Sequence, residues 1–167
     1  MKKDQSKRAA AAAFMGTTIE FYDFYVYATA AALILGTVFF PKTDPVTGTL
    51  ASFATLAVGF IARPMAGLIF GHLGDRLGRK KMLLFTMVLM GLATTCIGLI
   101  PSYASIGIWA PILLIFFRFL QGISVGGEWG GAVLMASEHA PKEKKTFFAS
   151  FAQLGSPAGL ILCLLVF

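Results

Sequence analysis

Charge is scarce in this chain. Lysine, arginine, aspartate and glutamate make up 13% of its 167 residues, against about 25% in an ordinary soluble domain. Cysteine and histidine are scarcer, with two of each. Cys96 and Cys163 both fall inside apolar runs, where they read as packing residues rather than as a disulfide or a metal site. No metal or cofactor is expected. The formal charge is +6, but the cations lie in short clusters between apolar runs and do not form one basic face on a soluble fold. That distribution excludes a nucleic-acid partner and matches a chain embedded in lipid. What the sequence does have is apolar bulk: 57% hydrophobic residues, 16 Phe and 18 Gly.

Five apolar segments stand out, at roughly 10–40, 50–72, 82–100, 110–137 and 147–167. A helix needs about 20 apolar residues to cross the hydrocarbon core, so all five are transmembrane candidates. The breaks are PKTDPVTGT at 41–49, GHLGDRLGRKK at 71–81, PSYASIGIWA at 101–110 and SEHAPKEKK at 137–145. Each carries the Pro, Gly or charge that ends helices. The fold expected is an all-α polytopic membrane protein. The basic start and Ala run could suggest a signal peptide, but Glu20 and Asp23 interrupt its apolar core.

Cation placement sets the orientation. Eleven of the 14 Lys and Arg fall before the first segment, after the second or after the fourth. Lys42 alone lies on the other side, and Arg63 and Arg118 lie within the membrane. The positive-inside rule puts the N-terminus and the stretch at 73–81 in the cytoplasm. The last segment ends LILCLLVF without interfacial flanks, which reads as a fragment cut in or just after its fifth helix.

Three stretches carry a family resemblance. The loop at 71–81 holds Gly71, Asp75, Arg76, Gly78, Arg79 and Lys80; the fourth segment holds Arg118, Gln121, Gly122 and Gly126; the first holds EFYDFYVYA at 20–28. The first two resemble the signature loop and helix 4 of the major facilitator superfamily. The third, with GGEWGGA at 126–132, resembles its metabolite:proton symporter branch. The resemblance covers essentially the whole chain but only about five of the family's twelve helices. It implies residues 1–167 of a partial N-terminal six-helix bundle in a plasma (inner) membrane. It also implies proton-coupled symport, by alternating access, of a small organic acid or zwitterion, the branch's range including citrate, ketoglutarate, shikimate and betaine. The loop residues would then latch the two halves on the cytoplasmic side. Gly74 and Gly78 would allow a sharp reversal there, and Asp75 would pair with an Arg or cap a helix end. The missing helices would be supplied by another chain or be absent; in the second case the fragment is transport-inactive.

Five ionisable residues lie within the apolar segments: Glu20, Asp23, Arg63, Arg118 and Glu128. Unpaired at mid-helix, each would cost about 2.5–3.5 kcal/mol. Such residues face the bundle interior, as ion pairs that fix packing or as functional groups. Asp23, Glu20 and Glu128 are the candidates for proton coupling. Glu20 and Tyr27 share Asp23's face, and Asp23 with Arg63 near the midplane is one candidate pair. Arg118, Gln121, Tyr27 and Arg63 are the candidates for substrate binding, because an Arg fork suits a carboxylate. Arg118 and Gln121 share a face, whereas Arg118 and Glu128 need not.

Gly122, Gly126 and Gly130, Gly127 and Gly131, and Gly67 and Gly71 are spaced by four. The default reading is close helix packing, with a ligand against the bare backbone as the minor one. Gly122 to Gly126 also reads G-x-S-x-G, the nucleophile elbow of serine hydrolases. The elbow needs a strand-to-helix turn and a base near Ser124, while His72 and His139 fall at the cytoplasmic boundary. An enzyme is disfavoured. Pro157 inside the fifth segment predicts a flexible helix.

Overall fold

The computed structural model of the chain describes residues 2–138 and 145–167. The side chains of 2–9, 75, 77, 79, 80, 83, 127–138, 145, 148, 149 and 152 fall outside that description. Among the described residues the chain is helical, without strands. Five long rods match the five apolar segments. They are α1 (Lys2–Ala30), continued by a π-helical turn (Ala31–Leu35) and the short α2 (Gly36–Phe39); α3 (Pro45–Leu77); α4 (Arg79–Leu99); α6 (Trp109–Glu138); and α7 (Lys145–Leu164). A single turn, α5 (Tyr103–Ile106), interrupts the connection before α6.

Among the described residues, three stretches are long and apolar enough to cross a membrane: Ala10–Phe39, Pro45–Gly74 and Trp109–Gly126. The apolar parts of the other two, Leu84–Leu99 and Gln153–Leu164, are shorter. Their whole helices run 21 and 20 residues, about the length that spans the hydrocarbon core. Large apolar side chains such as Leu68, Leu84, Leu92 and Leu160 stand exposed along the rods, as expected where lipid is the solvent.

Several boundaries differ from the sequence reading. The second rod begins at Pro45 rather than near 50, because Asp44 caps it and proline suits the first helical position. The Asp44 carboxylate accepts from the Thr47 backbone N–H at 3.0 Å and the Thr47 hydroxyl at 2.6 Å. The charged stretch at 73–81 is not a loop. Helix α3 continues through it to Leu77, and α4 starts at Arg79. Only Gly78 leaves helical geometry, at φ +96°, while its N–H still bonds to the Gly74 carbonyl. Gly74 itself is helical, so the reversal falls on one glycine rather than two. The π-turn had no sequence signal. Just beyond it Gly36 packs on the second rod, where a Cβ would lie 3.0 Å from the carbonyl carbon of Gly48.

The chain divides into two compact units, Tyr27–Glu128 and Met1–Val26 with Trp129–Phe167. In the second of these, α7 lays Gly155 and Gly159 on α1. A Cβ on Gly155 would stand 2.7 Å from the Thr18 backbone nitrogen, and one on Gly159 2.7 Å from that of Tyr22. The hydroxyls of Thr17 and Thr18 donate to the carbonyls of Ala13 and Phe14, so both are satisfied within their own helix. Tyr25 and Ser156 share a hydrogen bond of 3.2 Å across it. Helix α7 runs through Pro157.

Candidate functional site

In the unit Tyr27–Glu128, the contact of α3 with α6 decides where the buried cation sits. A methyl on Gly122 would lie 2.8 Å from Gly59 Cα, and one on Gly126 3.0 Å from the Arg63 carbonyl carbon. The two backbones therefore touch, as bare glycine faces allow. Arg118 is one turn before Gly122 on α6, so the seam carries it inward. It is 5% exposed.

Side chains from four helices are linked around Arg118, two touching it and two behind them. The guanidinium lies 3.4 Å from the centroid of the Tyr27 ring on α1, a cation over a π face. Its Nη1 donates to Oε1 of Gln121, on the same face of α6. Gln121 Nε2 in turn donates to the Thr94 hydroxyl on α4 at 2.8 Å. The Tyr27 hydroxyl is hydrogen-bonded to that of Thr55 on α3. Thr55 commits its one proton to the Ser52 carbonyl at 2.6 Å, so Tyr27 is the donor of the pair. Tyr27, Thr55 and Gln121 are all buried. An arginine stays charged even here, and the aromatic face and amide oxygen offset part of its desolvation. The arrangement can present a fixed cation to an anionic group.

Three of the four expected substrate-binding residues thus come together: Arg118, Gln121 and Tyr27. Arg63, the fourth, is about two turns along α3 from Thr55 and lays its guanidinium over Phe60, 4.6 Å from the ring centroid. Glu20 and Asp23 belong to the other unit, where Glu20 is buried and Asp23 half-buried. Asp23 and Arg63, the expected pair, fall in different units. Glu128 lies on α6, with its side chain outside the described residues.

The expected cytoplasmic latch is placed less fully. Gly71 has open space where a Cβ would go, and Gly78 makes the turn between α3 and α4. Arg76 is exposed in the last turn of α3, where a cation suits the helix dipole. The side chains of Asp75, Arg79 and Lys80 fall outside the described residues, as do Lys142, Lys144 and His139 altogether. The nucleophile-elbow reading fails on geometry. Ser124 is fully buried within the unbroken α6 and donates back to the Leu120 carbonyl at 3.0 Å.

Sequence reasoning passed over Thr55, Thr94 and Gly59. A lone threonine in an apolar helix has no signature, but Gly59 faces the noted Gly122. The 155–159 glycine pair was legible by its spacing of four and was missed.

An arginine buried among membrane helices marks a functional site by default. Residues 9–167 match the sugar (and other) transporter family, and the chain belongs to that family, within the major facilitator superfamily. The family is one of transporters, not enzymes. The chain is similar to the shikimate transporter of Escherichia coli K12, 53% identical over 158 residues, which cover 95% of this chain and 36% of that protein. It is also 53% identical over 148 residues to the inner membrane metabolite transport protein YhjE of the same organism, covering 89% of this chain and 34% of that one. The proline/betaine transporter of Salmonella typhimurium LT2 is 49% identical over 156 residues, 93% of this chain and 31% of that protein. The chain spans about a third of the length of these relatives. No solved structure matches it.

Proposed function

We propose that residues 1–167 form the N-terminal part of a proton-coupled symporter that moves a small carboxylate or zwitterion across an inner membrane by alternating access. The observation that carries this reading is Arg118, buried and held over the Tyr27 ring with Gln121 as a hydrogen-bond partner. Such a fork suits bidentate capture of a carboxylate, the group common to shikimate, proline and betaine, which the relatives' names mention. Arg63 is a further candidate for the substrate's charge. Asp23, with Glu20 and Glu128, carries the coupling proton. The N-terminus and the α3–α4 turn face the cytoplasm, where Gly71, Asp75, Arg76, Gly78, Arg79 and Lys80 serve as a latch. This orientation rests on the cation asymmetry.

Residues 1–167 taken alone correspond to one three-helix repeat and two-thirds of the next. Alternating access needs an opposing half, so this stretch by itself inserts but does not transport. The test is uptake in proteoliposomes. In the complete carrier, Arg118→Lys should raise the half-saturation concentration for shikimate and glycine betaine at least about tenfold, because an ammonium cannot reproduce the fork. Asp23→Asn should abolish proton-driven accumulation while exchange survives. Unchanged half-saturation in Arg118→Lys sinks the substrate role, and unchanged accumulation in Asp23→Asn sinks the coupling role. Saturable, uncoupler-sensitive accumulation by residues 1–167 alone sinks the need for a second half.

A further inference from the structure

The two groups that hold Arg118 are themselves soft. A glutamine amide can turn over and present its NH2 to the guanidinium, donor against donor. A tyrosine ring can swing on its side-chain torsions and leave the cation without its π face. Two hydroxyls restrain these motions. Arg118 itself selects the amide oxygen of Gln121 as its acceptor, and Thr94 on α4, accepting from Gln121 Nε2 at 2.8 Å, tethers the other end of that amide. Thr55 on α3 has its proton engaged by the Ser52 carbonyl, so towards Tyr27 it acts only as acceptor and anchors the phenol. We propose that Thr55 and Thr94 are positioning residues for Arg118: through Tyr27 and Gln121 they fix the plane and edge at which its fork meets a carboxylate. The inference rests on Arg118 being the anion receptor.

Neighbouring hydroxyls provide the contrast. Ser52 and Ser124 donate only to the carbonyl four residues back on their own helices, Gly48 and Leu120. That is the ordinary way for a hydroxyl to be satisfied in a membrane helix. Thr55 also donates within its own helix, to the Ser52 carbonyl, but it and Thr94 each accept from a side chain on another helix as well. Their loss should loosen the fork without changing its charge.

The test uses the complete carrier in proteoliposomes, with radiolabelled shikimate and glycine betaine as probes. Thr55→Val and Thr94→Val each keep the shape and lose the hydroxyl. Each should raise the half-saturation concentration about tenfold, the scale of one hydrogen bond to a charged group's support, with the maximal rate within about twofold. Thr55→Ser and Thr94→Ser should restore the wild-type value, and Ser124→Ala should not change it. Tyr27→Phe removes the Thr55 bond from the other side, so Tyr27→Phe with Thr55→Val should be no worse than either alone. If a valine variant does not accumulate in the membrane, the alanine variant at that position and Tyr27→Phe carry the same expectation. Wild-type half-saturation in both threonine variants, or additive effects of Tyr27→Phe and Thr55→Val, overturns the inference. Failure of the receptor reading looks different, because Arg118→Lys would then itself bind both probes normally.

Discussion

Replacing Gly122 with alanine tests the α3–α6 seam directly. The added methyl would lie 2.8 Å from Gly59 Cα and 2.9 Å from its carbonyl carbon, about 0.7 Å inside the roughly 3.5 Å at which carbon atoms pack comfortably. The obstructing atoms are backbone, so no side chain can turn aside and the rods themselves must part. Overpacking of this kind costs about 1–3 kcal/mol. Alanine would otherwise favour the helix over glycine by about 0.8–1 kcal/mol, which leaves a net loss on the order of 0–2 kcal/mol, towards the upper end because the obstructing atoms are backbone. Arg118, one turn away, would shift with the seam, since its carbonyl oxygen and Cγ lie 3.5 and 3.7 Å from where a Gly59 Cβ would be. The assay is unfolding of the chain in mixed detergent micelles, followed by tryptophan fluorescence. Gly71→Ala is the control, because no atom lies within 4 Å of the added methyl, and it should be neutral or mildly stabilising. Wild-type stability in Gly122→Ala, or an equal loss in Gly71→Ala, would refute the packing argument.

Three further outcomes follow from the same structure. The Thr47 hydroxyl and then its backbone N–H hold the Asp44 carboxyl below its ordinary value of 3.8. A depressed pKa contributes stability that is present above the unfolded value and lost as pH falls through the folded one. The stability difference between wild type and Asp44→Ala should therefore shrink as pH is lowered past 3.8, and a constant difference in pH-dependent unfolding would contradict the cap. In a Cys96→Ala, Cys163→Ala background, an impermeant thiol reagent applied to sealed cells should label Lys42→Cys and spare Arg76→Cys, both exposed positions; labelling of position 76 would reverse the topology. Gly78→Ala should destabilise the α3–α4 turn, since φ +96° is strained for any side chain, and unchanged stability would remove glycine's role there.

Membrane residence and the number of rods were open to reading from the sequence, because transfer into lipid adds up residue by residue and needs no partner. The pairing of Arg118 with Gln121 was equally legible, as three residues along a helix always share a face. The latch stretch was misread as a loop, because charge and glycine mark where a rod leaves the membrane and not where its hydrogen bonding stops. Helix α3 carries on to Leu77, and a single positive φ at Gly78 makes the turn. Glycine spacing showed which faces are bare but not what lies against them. Gly122 and Gly126 press on backbone, whereas Gly71, in an equivalent pattern, meets nothing within 4 Å. The rest belonged to the tertiary structure. Whether a threonine hydroxyl also takes a bond from a neighbouring helix depends on the helix beside it, and residue order carries no trace of that. Thus the composition and local periodicity of this chain determined a transporter's rods and its buried charge. Only the packing of four helices decided that Thr55 and Thr94, rather than Arg63, stand at the support of Arg118.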